Sequence, residues 1–183
     1  MRALSPIAQG HSHQQWADVG CSTGLITRLA QRLGYTVVGY DINGFSLWIA
    51  RLLSLGRKHI RYESTDFHTL NHSYDVVSAT SLLSVVEDKK ESLDALVALL
   101  RDDTSMLVII EPTDKLSVQN VWALIDGVKS FWYYKGLLLW ASAREGKAIP
   151  KSLFAELAQV KVIHQHHLDG MVRVSYISTE RGS

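Results

Sequence analysis

Five short apolar, β-branched runs punctuate the first two thirds of the chain, at residues 16–19, 36–40, 59–62, 75–79 and 105–110. Helical periodicity fills the gaps between them. Leu25, Leu29, Ala30 and Leu33 fall on one helical face, as do Leu47, Ile49, Ala50, Leu52 and Leu53 in the next gap. Leu93, Leu96, Val97 and Leu100 form a third face. A strand that must be followed by a helix before the next strand can pair only in parallel, with helices covering both faces of the sheet. This predicts an α/β chain with a doubly wound, three-layer architecture. Its 183 residues are a prior for one domain, large enough to bury roughly 70% of its unfolded surface.

The pattern changes after Glu111-Pro112. Residues 114–157 read as two or three helices broken at Gly127, Gly136, Gly146 and Pro150, an insertion or lid ahead of the last strands. Two strand-like runs then follow closely, 160–164 and 172–178, with Asp169-Gly170 between them as a hairpin signal. Residues 1–14 read as a short polar arm.

Function is concentrated in residues 18–24, Asp-Val-Gly-Cys-Ser-Thr-Gly, where the first strand turns into the first helix. Glycines allow a tight turn and close approach of a ligand, and the helix start presents unpaired N–H groups. Asp41, 17 residues past Gly24, closes the second strand. There a doubly wound sheet places a carboxylate for a ribose. A helix N-cap is the other use of an Asp at this point, since Asn43 and Gly44 open the next helix. A dinucleotide fingerprint, Gly-x-Gly-x-x-Gly, fails here because Ser22 and Leu25 occupy its second and third glycine positions. Read as acid-x-Gly-x-Gly-x-Gly, the loop supplies Asp18, Gly20, Ser22 and Gly24 with one small replacement.

That pattern resembles motif I of the class I S-adenosylmethionine-dependent methyltransferases. The resemblance extends through Asp41, Asp66-Phe67, residues 75–80, the strand before Glu111-Pro112 and the closing hairpin. It implies a seven-stranded, Rossmann-like, mostly parallel sheet in the order 3-2-1-4-5-7-6 with strand 7 antiparallel. It also implies S-adenosyl-L-methionine as methyl donor. In the resemblance, Asp18, Gly20, Cys21, Ser22 and Gly24 surround the methionine part of the cofactor, and the acid helps hold its amino group. Asp41 takes the ribose, Ile42 lies against the adenine, and Asp66 and Phe67 meet the adenine edge. Ala79 and Thr80 line the methionine and the transferred methyl. An acceptor attacks that methyl in line. The residues identify no catalytic base. The short stretch before the first strand removes one usual wall of the acceptor pocket, so the walls are expected from 114–157. A small apolar or aromatic acceptor fits best, with Trp122, Phe131, Trp132, Tyr133, Tyr134 and Trp140 in that segment.

Several residues stay open between two readings. Glu111 faces the acceptor pocket or caps the next helix. Leu82 and Leu83 pack the core or line the site, and His68 is a substrate contact or an exposed loop residue. Arg144, Lys147 and Lys151 form a loose basic stripe that faces an acidic acceptor or solvent. His164, His166 and His167 lack the ligand geometry of a metal site. Cys21 has no base partner and is not read as a nucleophile.

A net charge of +1 predicts no bulk attraction to nucleic acid. The apolar stretch 121–143 is broken by Asp126, Lys129 and Lys135, so no membrane span is expected. One cysteine excludes a disulfide framework and fits a reducing cytoplasm. Two rivals remain. A methyltransferase-like binding or partner module without catalysis is one, and a nicotinamide-dependent oxidoreductase is the other.

Overall fold

The computed structural model of the chain describes residues 7, 9–125 and 131–179, with residues 131–134 described in their backbone alone. Seven strands form one sheet in the order β3-β2-β1-β4-β5-β7-β6. They are β1 (Gln15–Val19), β2 (Thr36–Asp41), β3 (Ile60–Ser64), β4 (Val76–Thr80), β5 (Met106–Pro112), β6 (Val160–His167) and β7 (Val172–Thr179). The pairs among β1 to β5 are parallel, and β7 runs antiparallel between β5 and β6. The expected order and the antiparallel finish are both present.

The central strands are buried on both faces because helices cover each side. β1 carries Trp16, Ala17 and Val19 with almost no exposed surface, and β4 and β5 behave likewise. One core layer packs Ala79, Leu83, Leu93, Leu96 and Leu107 together. The opposite layer packs Trp16, Ala30, Tyr35, Val37 and Val108.

Helix α1 (Leu25–Arg32) begins at Gly24, whose φ of 75° is left-handed. Its buried face is Thr27 and Ala30 with Ile26, Leu29 and Leu33. Leu25, expected on that face, is exposed because it is the first helical residue, ahead of the turn that meets the sheet. In α2 (Gly44–Leu53) the Asn43 side chain accepts from the N–H groups of Phe45 and Ser46. Leu47 and Ala50 are buried there, whereas Leu52 and Leu53 are exposed, which narrows the expected face. Asp88 caps α3 (Lys89–Ala98) by accepting from Glu91 N–H, and Leu93, Leu96 and Leu100 pack as expected.

The later segment corrects several expectations. Helices α4 (Val118–Ile125), α5 (Phe131–Arg144) and α6 (Ser152–Ala155) are present. Gly136 does not break a helix, since it lies inside α5 with open space where a Cβ would stand. Gly127 lies outside the described residues. Pro112 starts no helix and ends β5, paired with Val172. The β6–β7 connection is a four-residue loop, 168–171, in which Leu168, Asp169 and Gly170 all have positive φ. No described helix is long and apolar enough to cross a membrane.

Candidate active site

Strands β1 to β5 are parallel, so their carboxyl ends share one edge of the sheet. Chain direction diverges between β1 and β4, which opens a crevice there. A cavity of about 740 Å³ occupies this position. Gly20 and Ser22 reach it from β1, Asp41 and Ile42 from β2, Asp66 and Phe67 after β3, and Thr80 and Leu82 from β4.

The glycine loop is shaped by three left-handed residues in alternation, Gly20 (φ 68°), Ser22 (φ 48°) and Gly24 (φ 75°). At two of them the neighbours also crowd a side chain, slightly at Gly20 and severely at Gly24. A Cβ on Gly20 would stand 3.2 Å from Leu82 Cδ1, and one on Gly24 would stand 2.3 Å from the Tyr62 hydroxyl. Asp41 fixes the loop. Its Oδ2 accepts from Ser22 N–H at 2.8 Å and its Oδ1 from Asn43 N–H at 2.8 Å. The helix cap falls to Asn43, which leaves Asp41 facing the cavity.

Asp66 accepts from His68 N–H through Oδ1 at 3.0 Å and opens a short turn over Phe67–Thr69. The His68 ring lies on the Phe67 ring, with centroids 4.1 Å apart, and both line the cavity. Thr80 ends β4, and its buried Oγ1 has no hydrogen-bond partner in the protein. A buried hydroxyl without a partner is rare and is a feature of sites built for something else.

Four of the expected site residues lie elsewhere. Asp18 is 1% exposed. Its oxygens accept from Thr27 Oγ1 at 2.6 Å and Ser78 Oγ at 2.9 Å, and Ser78 in turn accepts from Trp16 Nε1 at 2.8 Å. The carboxylate therefore ties α1 and β4 to β1 rather than reaching the cavity. Burial raises its pKa from 3.8 to about 6, against the lowering effect of the two hydroxyls. Cys21 packs with Leu47, Ala50 and Tyr62, and burial, then Asp18 and Asp41, push its thiol up. Gly24 makes room for Tyr62, whose hydroxyl pairs with Ser54 Oγ at 2.8 Å. Ala79 is fully buried in the core.

The acceptor side differs from both readings of Glu111. It lies 1% exposed in β5, and its Oε1 accepts from Leu83 N–H at 3.0 Å while Oε2 has no partner. Burial pushes its pKa from 4.5 up to about 8, so the carboxyl is largely protonated at neutral pH. Leu83 is core, whereas Leu82 lines the cavity. Residues 81–86 form turns, with Ser81 left-handed at φ 54°. Trp140 of α5 donates from Nε1 to Ser81 Oγ at 2.9 Å, which fastens this helix over the carboxyl end of β4. Arg144, four residues on, lines the cavity.

Sequence reasoning missed Glu87 as a cavity residue. Of the basic stripe, Arg144 lines this cavity and Lys147 and Lys151 do not, a division that depends on how α5 docks. Trp122 is exposed, and the side chains of residues 131–134 lie outside those described. His164 pairs through Nδ1 with Ser175 Oγ at 2.9 Å. Among the described residues, no three His, Cys, Asp or Glu side chains stand close enough to hold a metal ion.

The loop, the acid at the end of β2 and Thr80 meet at one switch-point cavity. Residues 17–106 match the family described as a methyltransferase domain. Ubiquinone biosynthesis O-methyltransferase of Salmonella paratyphi A is 32% identical over 91 residues, covering 47% of this chain and 38% of that protein. The protein of the same description in Pectobacterium atrosepticum is 31% identical over 103 residues, covering 54% and 43%. The chain thus spans about two-fifths of the length of these curated relatives. Among solved structures, the plantazolicin methyltransferase BpumL in complex with SAH superposes with a TM-score of 0.65 at 15% identity, covering 92% of this chain and 76% of that one. A TehB-like SAM-dependent methyltransferase from Corynebacterium glutamicum gives 0.65 at 12% identity, covering 97% and 85%. At such identities the structural likeness shows the fold. With the matching domain over residues 17–106, it makes the chain similar to the class I S-adenosylmethionine-dependent methyltransferases.

Proposed function

We propose that the chain transfers a methyl group from S-adenosylmethionine to a small-molecule acceptor. The observation that carries this reading is the left-handed loop Gly20-Cys21-Ser22, pinned by Asp41 and open to the switch-point cavity. The residues present fit the cofactor. Cavities of a few hundred to a thousand Å³ hold ligands of this size. After accepting from two N–H groups, the Asp41 oxygens keep lone pairs for the ribose hydroxyls. Ile42 would flank the adenine, Asp66 Oδ2 would accept from its amino group, and Phe67 N–H would face the ring. The backbone of Gly20 and Ser22 would border the methionine part, with Thr80 toward the reacting end.

When bound, the cofactor supplies an electrophilic methyl for in-line displacement. The chain's own contribution is to hold the acceptor in line and keep out water, which is worth several kcal/mol when the geometry is tight. In this reading the segment 114–157 is the acceptor wall, fastened by the Trp140–Ser81 hydrogen bond and bringing Arg144 to the cavity. The relatives named for ubiquinone biosynthesis support a small-molecule acceptor.

Thermal unfolding with S-adenosylmethionine, S-adenosylhomocysteine and NAD tests this reading. A ligand at about a hundred times its Kd adds roughly 2.7 kcal/mol. That corresponds to a rise of about 5–10 °C for a chain of this size. Both sulfur compounds should raise the midpoint and NAD should not. No shift with either sulfur compound at saturation would overturn the proposal.

A further inference from the structure

A second cavity of about 780 Å³ opens where the loop after β5, the approach to α6 and the β6–β7 hairpin meet. No residue lines both this cavity and the one at the switch point. Arg173 forms part of its wall and is only 4% exposed. The side chain is held on two sides. Nη2 donates to Ile149 O at 2.7 Å and the guanidinium carbon lies 5.2 Å from the centroid of the Phe154 ring, while the β5–β7 register sets the residue opposite Glu111. Its Nε is buried and makes no hydrogen bond. A fixed, buried guanidinium with an unused donor is costly unless something anionic answers it.

Glu111 and Asp114 act on it through space, raising its pKa against the lowering effect of burial, but neither forms an ion pair with it. Among the described residues, no nitrogen of Arg173, Lys115 or Lys151 lies within 4.0 Å of a carboxylate oxygen. Burial pushes the carboxyl of Glu111, in register with Arg173, toward its neutral form, against the opposing pull of Arg173. Asp114 and Asp169 stand on the same rim without pairing to these cations. Lys115 is placed against the hairpin. A Cβ on Gly170 would meet its Cδ at 3.3 Å and its Nζ at 3.4 Å, so glycine there lets the lysine lie across the turn. The field is felt by His166 on the same wall. Its pKa is lowered first by burial and then by the charges of Lys151, Arg173 and Lys115.

We propose that this second cavity is an anion site, taking a carboxylate or phosphate group carried by a small molecule, with Arg173 at its base and Lys115 and Lys151 at its mouth. Arg173 supplies a fixed positive charge in the wall, and the lysines supply adaptable point charges. The site is independent of the cofactor cavity and stands whether or not the methyl-transfer reading holds.

The test uses the full chain. Inorganic phosphate and citrate are titrated in turn while the Arg173 Nε–H resonance is followed by NMR. The same titrations are run on the Lys115→Gln/Lys151→Gln double variant, in which both changed residues are exposed. S-adenosylhomocysteine affinity is measured on both proteins by calorimetry. We expect saturable binding of at least one anion that moves the Arg173 signal, at least tenfold weaker in the double variant. S-adenosylhomocysteine affinity should stay within about twofold. A response to phosphate alone identifies a phosphate ester as the ligand class, and a response to citrate alone identifies a carboxylate. The proposal is overturned by the absence of saturable binding, by undiminished binding in the double variant, or by a parallel loss of S-adenosylhomocysteine affinity. Loss of cofactor binding in the wild-type chain alone would count against the methyltransferase reading and leave the anion site standing.

Discussion

The carboxyl edge of the sheet is fastened by two different means at its two ends. Behind the glycine loop Asp18 reaches Ser78 across 60 residues, but the hydrogen bonds that face the cavity from β1 and β2 are nearer in sequence. Asp41 holds Ser22, 19 residues away, and Asn43, two residues away, and Asn43 caps its own helix. Around β5 and β7 the fastenings are distant. Glu111 holds Leu83 across 28 residues, Thr113 holds Gly170 across 57, and Trp140 holds Ser81 across 59. The first end carries the residues proposed for the cofactor, whose chemistry is fixed. The second carries the residues proposed for the acceptor and the anion. A local fastening keeps a site unchanged while the rest of the chain varies, whereas a distant one lets each docked helix or hairpin redefine the site.

The comparison breaks most readily at Asp41. Asp41→Ala removes two charge-assisted bonds to backbone N–H and the proposed ribose acceptor. S-adenosylhomocysteine affinity should fall by about a hundredfold or more, roughly 3 kcal/mol. Asp41→Asn, which keeps one acceptor oxygen, should fall between. Calorimetry on the three proteins checks this. Unchanged affinity in Asp41→Ala would mean that the local fastening does not hold the cofactor at all.

Glu111 tests the distant end through pH. Its folded pKa lies at about 8 against 4.5, so the folded state keeps a proton that the unfolded chain has lost. Its stabilising contribution is complete below about pH 4.5 and is lost as pH rises through about 8. Asp18 acts with the same sign but only up to about pH 6. Between pH 6 and 8 His164 and His166, whose pKa values burial lowers, act with the opposite sign, so the Glu111 contribution is read as a difference between two proteins. Wild-type stability should drop by about 2 kcal/mol across that window relative to Glu111→Gln. Urea unfolding at pH 6, 7 and 8 reads it directly. Parallel curves for the two proteins would place the carboxyl in a more polar setting than its burial indicates.

The same contrast governs what the sequence disclosed. The strands, the glycine turn and the acid at the end of β2 were legible from local rules, whereas the strand order and the places of Ile42, Asp66, Phe67 and Thr80 on one cavity were legible only through the family resemblance. Periodicity gives strands and helices, glycines give turns, and a carboxylate closes a parallel strand. Asp18 was misplaced because its residue type and position do not tell whether a carboxylate points outward or back onto Thr27 and Ser78. Gly136 was misread as a break because the packing of α5 overrides its modest helix penalty. Arg173 carried no sequence signal and Arg144 only that of a basic stripe, since their surroundings come from elements that meet only in the folded chain.

The smallest effect sharpens the local end. Ser22 occupies a position where the motif has glycine, and it adopts φ 48°. A non-glycine residue in the left-handed region costs on the order of 1 kcal/mol or more. Ser22→Gly relieves that strain and keeps the N–H that Asp41 accepts. It also loosens the unfolded chain, which offsets about half of the gain. The net expectation is a stabilisation of about 0.5 kcal/mol, read as a rise of about 1–2 °C in the unfolding midpoint. S-adenosylhomocysteine affinity should be unchanged within about twofold, because the backbone rather than the serine side chain borders the proposed methionine site. A fall in affinity with a raised midpoint would assign the Ser22 hydroxyl a direct contact with the cofactor, and would explain why the strained residue is kept at the mouth of the loop.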